Sequence, residues 1–183
     1  MQTATNQKDT VKKRPVVILT KQISAEQYAW RNDPRITAWT RQNGLISEED
    51  QKKWRERISS DPSIQMFGIL SPQGLNIGTA GLTSITPIHG TAEFSLFISP
   101  KEQGNGYGKS ALIELLKYGF KHLRLNLIWG ETFHGNQAKA MFQKLGMKEE
   151  GRLRERYFKN GEYVDTHMVS LTRNEARSAE WWT

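Results

Sequence analysis

A glycine-rich turn constrains this chain more than any other feature of its sequence. The segment QGNGYGKS, residues 103–110, has glycine at alternate positions and is followed by ALIELLKYGF, whose apolar residues repeat at helical spacing. Glycine lets a backbone approach a ligand closely, and the start of a helix offers unpaired N–H groups to an anion. The pattern indicates either a turn that binds a phosphate or a strand-to-helix turn without a ligand.

The glycine spacing argues against two common phosphate sites. A nucleoside-triphosphate loop requires G-x-x-x-x-G-K-[ST], but Gln103 stands where the first glycine should be. A dinucleotide site requires G-x-G-x-x-G and an acidic residue at the end of the next strand. The chain has G-x-G-x-G, and the only acid near that strand is Glu131. The pyrophosphate of coenzyme A is the third candidate.

The rest of the chain alternates short strands and helices. Ser47 followed by three acidic residues is typical of a helix start, and Asn160-Gly161 is a strong hairpin signal. This order predicts a single α+β domain with a mixed, mostly antiparallel sheet flanked by helices. The apolar patterns predict strands over 16–19, 66–70, 77–85, 91–98 and 125–132, and helices over 24–40 with a break at Pro34, 47–58, 111–123 and 136–145.

Composition excludes several classes of protein. The chain has no cysteine, and its four histidines show no ligand spacing, so we expect neither a disulfide nor a metal site. No apolar run approaches the roughly 18 residues of a membrane helix, and the start lacks a secretion signal, so we expect a cytoplasmic protein. A net charge of +7 favours anionic partners or simply solubility. The basic cluster Lys12, Lys13 and Arg14 has no accompanying nucleic-acid motif, and nucleic acid is not an expected partner.

Three segments are expected along the chain. Residues 1–14 are polar and are predicted to form a flexible tail. Residues 15–174 carry the predicted strands and helices and are interpreted as one domain, followed by a C-terminal tail over 175–183. Trp181 and Trp182 in that tail indicate either a homodimer contact or packing against their own domain.

Several motifs in order resemble one family. QGNGYG, residues 103–108, resembles the Q/R-x-x-G-x-G/A motif of the GCN5-related N-acetyltransferases (GNAT), and GNQAKAMFQKLGMKEEG resembles that family's N-x-x-A-x-x-L-Y-x-x-x-G-F segment. WRNDP and FKNGEYVDTHM are similar to its branch of ribosomal-protein alanine, polyamine and aminosugar N-acetyltransferases. The resemblance covers about residues 15–172. It implies a sheet with splayed central strands and acetyl transfer from acetyl-coenzyme A to a primary amine by direct attack in a ternary complex.

The resemblance also implies where acetyl-coenzyme A binds. Amides of the glycine turn would bind the pyrophosphate, the strand AEFSLFISP would pair with the pantetheine arm, and an N–H of that strand would polarise the thioester carbonyl. An asparagine at the start of the later helix would contact the arm. The residues implied are Leu96, Phe97, Ile98, Gln103, Gly104, Asn105, Gly106, Tyr107, Gly108, Lys109, Ser110 and Asn136.

The reaction needs a base more than an acid. An amine with a pKa near 10.4 is only about 0.04% neutral at pH 7, whereas a thiolate with a pKa near 8.5 leaves readily. Glu93 is the candidate base, against the alternative that it belongs to a solvated strand face, and His134 is the second choice. The family's general-acid tyrosine falls on Phe142, so a proton donor would have to be solvent or another hydroxyl, such as Tyr107 or Tyr157.

The acceptor stays open between an aminosugar nucleotide, a polyamine and a protein N-terminus. The net positive charge and three arginines near the expected entrance favour an anionic sugar nucleotide. Tryptophans in the same region would either stack on the acceptor or belong to the core. A module that binds acyl-coenzyme A or nucleic acid without catalysis is the alternative from another class. The residues concerned are Arg31, Arg35 and Arg41, and Trp30, Trp39 and Trp54.

Overall fold

The computed structural model describes residues 15–183. The predicted tail over 1–14, with Lys12, Lys13 and Arg14, lies outside the described residues. Within residues 15–183, no helix is both long and apolar enough to cross a membrane.

Three helices precede the central strands. They are α1 (Gln27–Arg31), α2 (Pro34–Thr37) and α3 (Glu48–Ser60). The break at Pro34 is confirmed, because Asp33 caps α2 by accepting a hydrogen bond from the Arg35 N–H at 2.9 Å. The predicted start of α3 is also confirmed: Ser47 and Asp50 form a reciprocal capping box. The start of each helix follows from its local sequence.

A seven-stranded sheet forms the centre of the fold, in the order β1-β2-β3-β4-β5-β7-β6. All neighbouring strands are antiparallel except β4 and β5, which are parallel. The predicted α+β class with a mixed, mostly antiparallel sheet is therefore confirmed. The strands are β1 (Ile18–Thr20), β2 (Gln65–Leu70), β3 (Asn76–Thr86), β4 (Thr91–Ile98), β5 (Leu127–Phe133), β6 (Lys148–Lys159) and β7 (Glu162–Thr172).

Strands β4 and β5 separate halfway along their length. Their pairing ends at Glu93 and Trp129, whereas β4 continues to pair with β3 as far as Ile98. Residues 94–98 consequently have no strand on their β5 side among the described residues. This divergence confirms the splayed central strands and opens the sheet where the glycine turn begins.

Helices after β4 cover one face of the sheet. They are α4 (Tyr107–Lys117), extended by a π-helical turn over Tyr118–His122, and α5 (Ala138–Lys144). Leu112, Phe120 and Ile128 are fully buried between these helices and the strands. The apolar stripe of α4 therefore packs on the sheet and fixes the start of the helix at the splayed strands.

A hairpin and a short helix complete the chain. Asn160 and Gly161 both have positive φ, 50° and 90°, and join β6 to β7 in the predicted two-residue turn. Helix α6 (Arg173–Arg177) is not predicted by the sequence patterns. Trp181 and Trp182 pack against the core, and the Trp181 Nε1 donates to the Leu145 carbonyl at 3.1 Å. The structure therefore favours packing on their own domain, and a homodimer stays a prediction.

Candidate active site

The gap between β4 and β5 forms a cleft of about 1640 Å³. The glycine turn, the start of α4 and α5 line one end of this cleft. The segment from α1 to α3, together with Glu93 and Tyr157, lines the other end. The cleft is continuous between its two ends, so it connects the glycine turn with the segment from α1 to α3 through the gap between the splayed strands.

The glycine turn presents free backbone amides to the first end. Gly104 and Gly106 have φ of 79° and 82°, values that favour glycine, and Gly106 is the N-cap of α4. The first intrahelical bond runs from the Ser110 N–H to the Gly106 carbonyl at 3.2 Å. The N–H groups of residues 107–109 thus have no partner within the helix, and its first turn has no acidic side chain. The arrangement fits a pyrophosphate.

The end of β4 is tied to this turn. The Gln103 Nε2 donates to the Ile98 carbonyl oxygen at 3.0 Å. The Ser99 N–H donates to Ile77 of β3 at 2.8 Å. Since the backbone groups of an antiparallel strand alternate in direction, those of Phe94, Leu96 and Ile98 point to the open edge. That edge can pair with an extended arm and can donate an N–H to a carbonyl.

Most residues expected at the cofactor site line the cleft, with two exceptions. Asn105 is exposed, and its side chain donates to the Glu102 carbonyl at 3.4 Å. The Ser110 side chain is buried, and its Oγ has no hydrogen-bond partner among the described residues. The Ser110 N–H is also engaged, with the Gly106 carbonyl, so only Asn105 can still contribute through the backbone of the turn. The residues that line the cleft are Leu96, Phe97, Ile98, Gln103, Gly104, Gly106, Tyr107, Gly108, Lys109 and Asn136.

Helix α5 brings Asn136 and Phe142 to the side of the cleft opposite β4. The Asn136 Oδ1 accepts a hydrogen bond from the Ala138 N–H at 2.9 Å, which starts α5 two residues later than predicted. Phe142 is buried, and its ring contacts Phe94 edge-on with a centroid distance of 5.1 Å. The position expected to hold an acid thus supports the wall of the cleft and donates no proton.

Glu93 lies at the opposite end, where the two strands part. It is 9% exposed, so it is not part of a solvated strand face. Arg41 pairs with the Glu93 carboxylate through its two terminal guanidinium nitrogens, Nη1 and Nη2. Burial acts to lower the pKa of Arg41, but the hydrogen bond and the charge of Glu93 outweigh burial and raise that pKa above its usual value.

Glu131 is a second carboxylate at this end and has no signal in the sequence patterns. Glu93 pairs with Trp129, so Glu131 follows on the same face of the neighbouring strand. Its side chain is 5% exposed, with Arg156 at 3.9 Å and the Thr166 hydroxyl at 3.3 Å. The two carboxylates form an acidic pair in the cleft, where β4 and β5 part.

A bulge in β6 directs Tyr157 into the cleft. The register between β6 and β7 shifts between Leu153 and Tyr157, and Glu155 has a φ of 51°. The Glu155 N–H donates to the Asp165 Oδ1 at 2.7 Å, which lowers the pKa of Asp165. Tyr157 contacts Phe133 and Arg41 at the same end of the cleft as Glu93. Tyr107 lines the other end, at the glycine turn.

His134 does not line this cleft. Its Nδ1 lies 3.0 Å from the Nε2 of the buried His167 on β7. The Nδ1 of His167 lies 2.5 Å from the Glu149 carboxylate, and Lys139 also pairs with Glu149 at 2.7 Å. Lys139 and His167 both hold the pKa of Glu149 below its usual value. Of the two candidate bases, Glu93 therefore lines the cleft and His134 does not.

The three arginines near the entrance are already engaged. Arg35 pairs with Asp33 at 2.7 Å, Arg41 with Glu93, and Arg31 donates to Gln51 at 3.0 Å and stacks on Trp54. Trp39 and Trp54 line the cleft, whereas Trp30 does not. Two of the three arginines are therefore paired with carboxylates, which weakens the argument for a phosphate-bearing acceptor.

Comparison with known proteins identifies the family. An acetyltransferase (GNAT) domain model matches residues 19–148. The spermidine N(1)-acetyltransferase of Vibrio cholerae is 31% identical over 79% of this chain and 84% of its own. The spermidine N(1)-acetyltransferase of Escherichia coli K12 is 33% identical over 63% of this chain and 62% of its own.

A solved structure shares the fold. The spermidine N-acetyltransferase from Vibrio cholerae, in complex with CoA and spermine, superposes with a TM-score of 0.84 and 24% identity, covering 88% of this chain and 98% of that chain. These relatives are enzymes, which argues against a module that only binds acyl-coenzyme A or nucleic acid. The chain therefore belongs to the GNAT family and is an N-acetyltransferase with acetyl-coenzyme A as co-substrate.

Proposed function

We propose that this protein acetylates a primary amine of a polyamine within a ternary complex with acetyl-coenzyme A. The observation that carries the proposal is the acidic pair Glu93 and Glu131 beside the open edge of β4. Carboxylates attract the ammonium groups of a polyamine, and both lie where an acceptor would reach the thioester. The relatives named as spermidine acetyltransferases support the same acceptor class.

The preference for an anionic sugar nucleotide, which rested on net charge, is not supported. A net charge of +7 belongs to the whole chain, whereas the acceptor end places two carboxylates on the cleft face. The relatives named as spermidine acetyltransferases do not support a protein N-terminus either. Charges close to the reacting groups matter more than distant ones, because salt largely screens the interaction between exposed charges that are more than about 10 Å apart.

In this mechanism Glu93 receives the proton of the acceptor ammonium. The neutral fraction of the amine is about 0.04% at pH 7, so a nearby base contributes a large part of the rate. Glu131 binds a second ammonium group of the polyamine and so holds the reacting amine in line with the thioester. Amides at the open edge, from Leu96 or Ile98, stabilise the developing negative charge on the thioester oxygen.

The leaving thiolate needs little help from the protein. Phe142 donates no proton, and its contact with Phe94 keeps that side of the cleft apolar. A thiol with a pKa near 8.5 departs far more easily than an amine at pH 7. Solvent then protonates the sulfur, because the Tyr107 hydroxyl belongs to the turn end of the cleft, with the pyrophosphate.

The test is acetyl transfer by purified full-length protein. Thiol release from acetyl-coenzyme A would be followed with spermidine, spermine, an aminosugar nucleotide and a peptide, and products identified by mass spectrometry. We expect acetylated spermidine or spermine, and a loss of kcat of more than about tenfold in Glu93→Gln. Turnover of the sugar nucleotide or the peptide without the polyamines would refute the proposal.

A further inference from the structure

The acceptor carboxylate Glu93 already has a cationic partner. Arg41 approaches both of its oxygens, with its Nη1 3.4 Å from Oε2 and its Nη2 on Oε1. The carboxylate side chain is only 11% exposed, so this guanidinium covers most of the surface that an ammonium group would use. An acceptor amine and Arg41 cannot occupy the same side of Glu93 together.

The Arg41 side chain can leave without moving the backbone. Arg41 lies outside regular secondary structure, between α2 and α3, and its side chain is 43% exposed. On one side, the Lys159 Nζ binds the carbonyls of Thr37 and Gln42. On the other, Asn32 exchanges two hydrogen bonds with Ile46, at 2.9 and 2.8 Å. The loop is held on both sides, while the Arg41 side chain is partly exposed.

Two other groups near Arg41 also interact with its positive charge. Its guanidinium lies 5.8 Å from the Tyr157 ring, and the charge of Glu131 also acts on it. Arg35 pairs with Asp33 and Arg31 with Gln51, so neither approaches Glu93. Arg41 is the cation that competes with an acceptor for this carboxylate among the described residues.

We infer that Arg41 is a specificity-determining residue whose guanidinium occupies the ammonium site on Glu93 until an acceptor amine displaces it. This rests on the proposed function, because it assumes that the acceptor approaches Glu93 as a cation. Amines that bring a second positive charge to Glu131 displace Arg41 more readily than monoamines. The exchange of one cation for another filters acceptors by their charge.

The first test measures KM and kcat for spermidine and for n-butylamine, a probe with a single amine. In Arg41→Ala, the KM for n-butylamine should fall by about fivefold, the size expected for releasing a partly exposed ion pair, and the KM for spermidine should fall by less. Equal falls for the two amines would overturn the charge filter. Arg41→Lys keeps a competing cation and should stay near the unmodified protein. Arg57→Gln is the matched control, since Arg57 pairs with Asp61 away from the cleft.

The second test measures how free guanidinium ion, added to the assay, inhibits Arg41→Ala and the unmodified protein. It should inhibit Arg41→Ala competitively against the amine, and inhibit the unmodified protein much less, at matched chloride concentration. An unchanged KM in Arg41→Ala overturns the inference, and a raised KM does so by showing that Arg41 holds the acceptor. If n-butylamine reacts but spermidine does not, the polyamine proposal fails, and the role of Arg41 is still decided by the n-butylamine data.

Discussion

The Gln103 Nε2 lies 3.0 Å from the carbonyl oxygen of Ile98, so the glycine turn is tied to the last residue of β4. This bond joins the part of the site that fits the pyrophosphate to the strand edge that fits the pantetheine arm. Gln103→Ala removes one hydrogen bond, worth about 1 kcal/mol. We expect the KM for acetyl-coenzyme A to rise about fivefold with little change in kcat. Steady-state kinetics would measure this, with the exposed Gln143→Ala as control.

Gly106 and Gly108 should respond differently to alanine. Gly106 has a φ of 82°, and a Cβ there would lie 3.4 Å from Pro15, so Gly106→Ala should destabilise the protein by about 1 kcal/mol or more. Gly108 is helical, and its Cβ would meet Ile98 at an ordinary 3.6 Å. Gly108→Ala should not lower the free energy of unfolding. Urea denaturation would compare them, and equal losses would contradict the geometry.

Glu131 should behave as a functional and not a stabilising residue. Its carboxylate is almost fully buried, and the nearest arginine nitrogen lies 3.9 Å away. The cost of burying the charge therefore offsets most of the stabilisation that this ion pair contributes to the folded state. Glu131→Gln should lower kcat/KM for spermidine by more than about tenfold while the free energy of unfolding stays equal or rises. Denaturant titration and kinetics on the same samples would decide. If Glu131→Gln were less stable but fully active, Glu131 would have a structural and not a functional role.

Phe142→Tyr tests whether the reaction lacks a general acid. The new hydroxyl would enter a buried site against Phe94, where an unsatisfied polar group costs about 1–3 kcal/mol. Because the thiolate leaves without much assistance, kcat should change by less than about threefold. Rapid-quench measurement of the acetyl-transfer step would test this. A large acceleration would show that protonation of the sulfur limits the reaction.

Glu175 should make the C-terminal segment acid-sensitive. It caps α6 and pairs with Lys148 at 2.6 Å, and the hydrogen bond from Lys148, followed by those from Thr172, lowers its pKa from 4.5 to about 2. Because the folded-state pKa is lower than the unfolded one, this stabilisation is complete above pH 4.5 and is lost as the pH falls towards 2. Glu175→Ala should therefore destabilise the protein by about 1 kcal/mol at pH 7.

The pH dependence supplies the control for that prediction. The difference in unfolding free energy between Glu175→Ala and the unmodified protein should shrink as the pH falls from 5 to 3. Glu175→Gln, which can still cap the helix, should lose less stability at pH 7. A difference independent of pH would exclude the ion pair as its cause.

The sequence by itself determined the local parts of this protein. Glycines at positive φ, the cap at Ser47 and the turn at Asn160-Gly161 depend on conformational preferences of a few neighbouring residues. Apolar periodicity located β4 at its observed bounds and the helix after the glycine turn, because burial of one face follows the period of each element. These features also carried the family resemblance.

Only the tertiary structure decided which residues meet at the end of the cleft that contains Glu93. Arg41 and Glu93 are 52 positions apart, and Glu131 reaches the cleft only because β4 and β5 are parallel neighbours that diverge. His134 was the second candidate base in the sequence, but its position directly after β5 brings it to His167. Ion pairing and strand register depend on which distant segments meet, and no local pattern encodes that. The local sequence therefore predicted the turn and the strand edge at which we expect the coenzyme, whereas the fold decided which charges meet at the other end of the cleft.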